Sequence, residues 1–404
     1  MVRPFVGERL ALVVPRCGED ALGGAEVLAL AMARDLSERY DVEILSTCAA
    51  DYWTWENEYS AGISEVAGVR VRRFAVDAPR NLAEFNRLSR RVRFRMAATT
   101  IDEQEAWMRA QGPYSSDLLR ALAGGTYDSV LFFSYLYATT YFGLPLVGER
   151  AILLPLAHDE WPFYFPMWRR FFERVEECIF VSPEERELVQ RRFRALPIAG
   201  EVVHPRLLEL QPSPEPQRAK IANLPECYLL YVGRIDESKG VGELCERFER
   251  HAQSHPDSPW RLVLAGPGDP ITRQSEYVRY LGGVDEATKR ALLQGAGLFV
   301  MPSLHESLCI ALLEAWAEGC PALVNGWNPV LVGQCRRSNG GLWYRDQESF
   351  DASLAALTAE TRSILGRQGR AYVTAEYARG DTCEVVGRAM RKTPTIRIST
   401  GGSQ

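Results

Sequence analysis

Short apolar runs alternate with helical spacing along almost the whole chain. The run LALVVP at 10–15 predicts a buried strand, and 25–39 follows with Val27, Leu28, Leu30, Ala31 and Leu36 at helical spacing. Residues 42–45 predict a second strand. Residues 69–76 alternate apolar and basic side chains, the pattern of a half-exposed strand. Runs at 130–133, 151–156 and 178–181 continue the series. Each is short and apolar on both faces, as a central strand of a parallel sheet has to be. A polar stretch with Pro212, Pro214, Pro216 and Gln217 then breaks the pattern and predicts a linker. Beyond it the alternation restarts, with strands at 228–232, 262–265, 277–281, 298–301 and 322–324 and helices at 241–253, 286–294 and 310–318. Two blocks of strand–helix alternation predict two parallel α/β domains. The polar end, 391–404, predicts a disordered tail.

Composition narrows the class. A chain of 404 residues is too long for one ordinary core. Its 46% hydrophobic and 25% charged residues are those of a soluble globular protein. A net charge of −5 argues against nucleic acid as partner, because duplex binding is driven by neutralising phosphates. Nine cysteines, odd in number and without a C-x-x-C, argue against a disulfide framework or a zinc site and for a reducing compartment. The N-terminus lacks a signal-peptide core, and no run approaches the ~20 apolar residues of a spanning helix. The expectation is a cytoplasmic protein that at most sits on a membrane.

Three glycine- or charge-bearing segments carry chemistry. Gly23-Gly24-Ala25-Glu26 opens the first helix, where unpaired N–H groups suit an anion; it is not a dinucleotide fingerprint, and a plain helix-opening turn is the bland alternative. The segment from Gly233-Arg234 to Lys239-Gly240 follows the first strand of the second block. Arg gives forked hydrogen bonds and Lys a point charge to a diphosphate, unless both simply pair with Asp236 or Glu237. The segment from His305-Glu306 to Glu314 follows another strand. With a helix starting near Ile310, Glu306 and the N–H groups of Leu308, Cys309 and Ile310 face a ligand, and Glu314 lies a turn further in. The rival is a surface salt bridge at Glu314. His158-Asp159-Glu160 ends another strand, and a histidine held by Asp159 competes evenly with a functional one. His204, His251 and His255 lack partners at metal-ligand spacing and read as surface residues. Arg87, Arg90, Arg91, Arg93 and Arg95, interleaved with Phe85, Leu88, Val92 and Phe94, suit an anionic lipid surface or, slightly favoured, a solvated helix paired with Glu103 and Glu105.

Taken together these segments resemble the family-four retaining glycosyltransferases. Leu264-Ala265-Gly266, Leu281-Gly282, Glu318-Gly319 and Ser182-Pro183-Glu184-Glu185 add to the likeness, which is most specific between Tyr228 and Val324. The resemblance implies an α/β protein of GT-B architecture, two facing Rossmann-like domains with an interdomain cleft. It implies an acceptor-binding domain at 1–207, rejoined by a C-terminal helix at about 376–392, a nucleotide-sugar-binding domain at 208–375 and a flexible tail at 393–404. It further implies metal-independent, retaining transfer from a nucleoside-diphosphate sugar, with no cofactor, to a glycan, lipid-linked or small-molecule acceptor in bacterial surface polysaccharide or glycoconjugate synthesis at the inner face of the plasma membrane. Carried over by position, Arg234 and Lys239 stabilise the departing diphosphate, Glu306 and Ser307 to Ile310 meet the donor sugar and phosphate, Glu314 the ribose, Gly282 to Val284 the base, and His158 is a catalytic candidate. Gly23 and Gly24 complete the donor set. The chain departs from the family at Ser307-Leu308-Cys309, where Gly-Phe-Gly is common, and at Val203-His204-Pro205-Arg206, where an asparagine-glycine segment is usual. An epimerase or phosphorylase on the same scaffold, or a non-catalytic sugar-nucleotide sensor, are the alternatives.

Overall fold

The computed structural model describes residues 7–18, 23–207, 224–268 and 275–392. The chain divides into two compact units, Met1–Arg206 with Gly380–Gln404, and Leu207–Arg379. The expected proline-bearing linker and the expected tail at 393–404 lie outside the described residues.

The first unit is built on an eight-stranded sheet. Its strands in chain order are β1 (Arg9–Arg16), β2 (Asp41–Thr47), β3 (Gly62–Val66), β4 (Val69–Phe74), β5 (Ser129–Phe133), β6 (Ala151–Leu154), β7 (Glu177–Phe180) and β8 (Gly200–Val202). They are ordered β3-β4-β2-β1-β5-β6-β7-β8. All pairs are parallel except the hairpin β3–β4 at one edge. Leu10 to Val14 of β1 are fully buried, because helices cover both faces of a parallel sheet. Each such aliphatic side chain contributes about 1.5–3 kcal/mol on burial. The alternation at Val69, Val71 and Arg73 against Arg70 and Arg72 appears as alternating burial along β4. One side of the sheet is packed with aromatics: Tyr135 meets Trp168 edge-on at 4.7 Å, and Phe172 stacks on Phe193 at 4.3 Å.

The second unit carries β9 (Tyr228–Val232), β10 (Arg261–Ala265), β11 (Val278–Tyr280), β12 (Leu298–Met301), β13 (Ala322–Asn325) and β14 (Gly341–Tyr344). The order β11-β10-β9-β12-β13-β14 is fully parallel. Renumbered within the unit this is 3-2-1-4-5-6, the doubly wound Rossmann order, which reverses direction between β9 and β12. The first unit reverses in the same way between β1 and β5.

Three strands have no counterpart among the sequence-predicted elements: β3, β8 and β14. β3 is exposed at four of five positions, and β8 is a three-residue edge strand half-buried throughout. Neither shows a clean apolar period. The helix Thr382–Lys392 packs on the first unit, where Thr382 Oγ1 donates to Asp35 Oδ2 at 3.1 Å and Arg388 pairs with Glu201 at 2.6 Å.

Two backbones meet closely beside the second unit's reversal. A Cβ added to Gly266, just past β10, would lie 1.8 Å from the carbonyl oxygen of Gly233, just past β9. At Gly282 φ is +75°, yet an added Cβ meets nothing within 4 Å. Gly266→Ala is therefore expected to destabilise the protein by more than about 4 kcal/mol, and Gly282→Ala by only about 1–2 kcal/mol, the cost of left-handed backbone. Denaturant unfolding of both variants checks this; equal losses would contradict the close approach.

Candidate functional site

Loops that leave the carboxyl ends of β9 and β12 flank the second unit's reversal point, where ligands of doubly wound sheets bind. The first loop is shaped from within. Asp236 caps the short 3-10 turn Glu237–Lys239 by accepting from the Lys239 N–H at 3.1 Å, and Tyr231 Oη donates to the Arg234 carbonyl at 2.8 Å. Arg234 forms an ion pair with Asp236, as the bland reading of that loop anticipates. Lys239 does not pair within its own loop. Its Nζ donates to Glu306 Oε1 at 2.6 Å, across 67 residues of sequence. Desolvation pulls the Lys239 ammonium down, but the Glu306 charge outweighs it and holds the group above its ordinary value. The arrangement joins the two predicted diphosphate and sugar contacts at one point.

The loop after β12 is fixed from below by buried amides. Asn325 Nδ2 donates to the Pro302 carbonyl at 2.8 Å, Asn328 Nδ2 to the Ser303 carbonyl at 3.4 Å, and Gln334 Nε2 to the Leu308 carbonyl. These three residues are 5%, 1% and 0% exposed, so the loop is held by amide N–H groups already dehydrated. The sequence reading did not single them out; the Asn-Pro at 328–329 is a helix-start signal, but nothing local reveals a bond back to the neighbouring strand end. The helix Ile310–Ala317 starts where expected, with Cys309 as its N-cap. Cys309 has φ +65°, left-handed backbone in a residue that carries a Cβ, where the family commonly has glycine. No side chain caps this helix, and its first-turn N–H groups are oriented for an anion. The side chains of Ser307, Leu308 and Cys309 are themselves buried, so they contribute backbone and not side chain to the loop surface. Burial holds the Cys309 thiol far above its ordinary range, which makes it a poor nucleophile at neutral pH.

Glu314 lies one turn further along and pairs with Lys289 at 2.9 Å. Lys289 belongs to the helix Glu286–Gly295 and also holds Glu286 at 2.8 Å. The salt-bridge alternative at Glu314 thus describes the contact present, with a partner the sequence reading did not name. Burial raises the Glu314 carboxyl against the pull of Lys289, while the two carboxylates hold Lys289 up despite its own burial. Gly282 to Val284 form the loop between β11 and that same helix, and the Gly266 N–H donates to the Gly282 carbonyl at 2.8 Å.

In the first unit His158 follows β6. Its Nδ1 lies 3.5 Å from Glu160 Oε1, whereas Asp159 accepts from Tyr164 Oη. The histidine is therefore not held by Asp159. Beneath it, Glu185 Oε1 accepts from the Ala157 N–H at 2.8 Å and Oε2 from the Val181 N–H at 2.9 Å. Glu185 also sits in the first turn of the helix Pro183–Arg192. One carboxylate thus ties the segments after β6 and β7 to that helix. At the other motif, Glu26 turns back to meet Arg16 at 2.6 Å, both nearly buried. A Cβ on Gly23 would lie 2.4 Å from that carboxylate, while Gly24 faces open space. Gly23 is small because of Glu26, and Gly24 leaves backbone open to approach.

The basic stretch forms the helix Leu82–Phe94. Val92 is buried, and Phe85 and Leu88 pack on the core. Arg87 pairs with Glu84, Arg91 with Glu103, and Arg93 lies over Trp161 at 5.9 Å. Glu105 bonds Tyr141 at 2.9 Å and takes none of these arginines. Phe94 is 81% exposed. His255 is exposed, as a surface residue should be, but the same reading of His204 and His251 needs correction. His204 pairs with Asp381 at 3.4 Å, and His251 is 4% exposed beside Asp351 at 2.7 Å. Both acids lie more than a hundred positions away or at that distance in sequence, where local spacing carries no signal.

Residues 226–359 match the family described as Glycosyl transferases group 1. The chain is 31% identical over 164 residues to glycogen synthase of Mycobacterium tuberculosis, covering 37% of this chain and 37% of that protein. It is 32% identical over 189 residues to phosphatidyl-myo-inositol mannosyltransferase of Mycobacterium leprae, covering 44% and 48%. The chain thus spans less than half the length of these curated relatives. Among solved structures, a trehalose-6-phosphate structure from E. coli, bound with UDP-2-fluoro glucose, superposes with a TM-score of 0.65 at 13% identity, covering 96% of this chain and 100% of that one. The likeness shows the GT-B class of fold, with two Rossmann-like sheets.

Burial pushes the Glu185 carboxyl up to about 7 from 4.5, against the hydrogen bonds and the nearby His158 that favour its charge. The folded state therefore keeps a proton that the unfolded state gives up. This contribution to stability is full below about pH 4.5 and is lost as pH rises through about 7. Its size is on the order of 3 kcal/mol. Glu185→Gln is expected to flatten the decline in stability between those limits; an unchanged slope in unfolding free energy would contradict the assignment.

Proposed function

We propose that the chain is a retaining glycosyltransferase that takes a sugar from a nucleoside diphosphate. The observation that carries this is the Lys239–Glu306 contact of 2.6 Å at the reversal point between β9 and β12. A cation and a carboxylate held together there match the two ends of a sugar diphosphate, a charged leaving group and a hydroxyl-rich ring. The family match over 226–359 and the relatives named above, whose names are those of sugar-transferring enzymes, support the reading.

In this reading Arg234, Lys239 and the uncapped start of the helix Ile310–Ala317 receive the diphosphate. As the glycosidic bond to the leaving oxygen breaks, charge grows on the diphosphate, and these fixed donors meet it without reorganising. The side chains supply the positive charge, so the reaction is metal-independent and needs no cofactor. Glu306 orients Lys239 and bonds sugar hydroxyls. Glu314, neutralised on one side by Lys289, bonds the ribose, and backbone at Gly282 to Val284 faces the base. The first unit, with His158, serves the acceptor, a glycan or a lipid-linked sugar. Glu185 fixes the segment that carries His158. The protein works in the cytoplasm, in assembly of surface polysaccharide or glycoconjugate, and rests on the membrane through Arg90, Arg93, Arg95 and the exposed Phe94.

Steady-state kinetics test the donor site. Arg234→Ala and Lys239→Ala are expected to lower kcat on the order of 10²–10³-fold, as for other lost charge-stabilising donors. Glu314→Gln is expected to raise KM for the donor and leave kcat nearly unchanged, because it touches a part that does not react. Near-normal kcat in both alanine variants, in folded protein, would place the donor site elsewhere; hydrolysis or epimerisation of the donor without transfer would make the chain another kind of enzyme.

Membrane contact is tested separately. Phe85, Leu88 and Val92 of the helix Leu82–Phe94 pack on the core, so apart from the exposed Phe94 adsorption rests on charge. Co-sedimentation with anionic vesicles is expected to weaken when Arg90 and Arg93 are reversed to Glu and to fall with added salt. Binding indifferent to both changes would remove this role.

A further inference from the structure

Well along the chain from the donor loops, the helix Val241–Ser254 ends on three ionisable side chains that the proposed reaction does not use. A helix of this length rises about 20 Å, so its last turn is remote from Lys239 at its start. His251 is nearly buried, and its Nδ1 lies 2.7 Å from Oδ1 of Asp351 on the helix Gln347–Ala356. His255, the C-cap residue, stacks its ring on that of His251 with centroids 4.6 Å apart and planes at 21°. One ligand atom from each of His251, His255 and Asp351 lies within 4.8 Å of the other two.

We propose that His251, His255 and Asp351 form a binding site for a divalent transition-metal ion of the zinc class. Three observations carry the inference. The first is the spacing: His251 in the last turn of the helix and His255, its C-cap residue, stand four apart, the separation at which a helix end can bring two imidazoles to one ion. The second is what the remaining ring nitrogens do. His251 Nε2 lies 3.3 Å from Ser258 Oγ, and His255 Nδ1 lies 3.1 Å from the His251 carbonyl. Metal-ligating imidazoles are oriented by such a bond from the other nitrogen, to a carbonyl or another oxygen. Here it leaves His251 Nδ1 and His255 Nε2 as the ligand atoms. The third is the carboxylate. Gln347 Nε2 donates to Asp351 Oδ1 at 3.0 Å and to the Arg247 carbonyl at 3.2 Å, so the acid is anchored to the neighbouring helix.

Two imidazoles and a carboxylate are a donor set suited to zinc, with a fourth position left for water. Two ligands on a tetrahedral ion at 2.0–2.1 Å sit about 3.3 Å apart. The His251–Asp351 pair has to open by roughly half an ångström as the ion replaces the shared proton, and His255 has to close from within 4.8 Å. Rotation of the exposed His255 ring supplies that. A His251–Asp351 ion pair alone would account for two of the residues, but not for a second imidazole stacked on the first with a ligand atom within 4.8 Å of both partners. The bound ion would clamp the end of the helix Val241–Ser254 to the helix Gln347–Ala356, a structural role independent of the donor site.

The test uses untagged full-length protein stripped with a chelator. Calorimetric titration with Zn²⁺ is expected to give one ion per chain with a micromolar or tighter Kd, and Zn²⁺ is expected to raise Tm. Co²⁺ is expected to produce the visible absorption of a four-coordinate site. His255→Ala, which leaves the His251–Asp351 pair intact, is expected to weaken Zn²⁺ binding at least ~10-fold without lowering the Tm of metal-free protein, and Asp351→Asn to weaken it likewise. His204→Ala, outside the cluster, serves as the control and is expected to leave Zn²⁺ affinity unchanged. Stoichiometry well below one, or Zn²⁺ affinity unchanged in His255→Ala, would overturn the proposal.

Discussion

A parallel ladder cannot be joined by tight turns: each strand has to be followed by a crossover that packs on one face of the sheet. That constraint governs everything else in this protein. It makes the central strands apolar on both faces, as Leu10 to Val14 and Tyr228 to Val232 are. It also delivers every strand-to-helix loop to the same edge. Where the winding reverses, between β9 and β12, two such loops diverge on opposite faces and leave backbone N–H groups and loop side chains open between them. Lys239 and Glu306, 67 positions apart, meet there because the topology has no other place to put them.

The charged groups there meet opposite charges: Arg234 with Asp236, Lys239 with Glu306, Lys289 with both Glu314 and Glu286. Partly buried single charges would be costly, and breaking a pair leaves its partner uncompensated. Each acid thus keeps a cation in place. The amides Asn325, Asn328 and Gln334 do the same for backbone, holding the loop after β12 by its carbonyls. The left-handed Cys309 is tolerated because these bonds fix the chain leading into it and the helix Ile310–Ala317 begins directly after it.

Most of the sheet was legible from apolar runs, since a strand buried on both faces writes an uninterrupted signature; β9 and β12 have the bounds their runs predict. β3 and β8, exposed or at an edge, lack that signature. Residue types in the loops after β9 and β12 were legible for a related reason: glycine, arginine and lysine directly after a buried strand have few structural uses. Partners were not. Whether Lys239 would pair with Glu237 or Glu306, or what Glu314 would meet, depends on which helices lie side by side, and no local spacing encodes it. The histidines show the same limit. His251 and His255 stand one turn apart in plain view, but the carboxylate that gives them meaning sits 100 residues later.

The crossing points between the two units carry a different kind of information. Residues 207–379 are inserted between two stretches of the first unit. The ends of the insertion are drawn together: the His204 N–H donates to Asp381 Oδ1 at 2.7 Å, and the Asp381 N–H to the His204 carbonyl at 3.0 Å. A chain emerging from the ribosome therefore completes its guest before its host. The second unit is contiguous and has all its strands once residue 344 is made, whereas the first waits for the helix Thr382–Lys392 to cover Asp35 and pair with Glu201 and Glu177. Until then β7 and β8 lack their last cover, and the exposed edge is the part of the nascent protein most open to aggregation or chaperone capture.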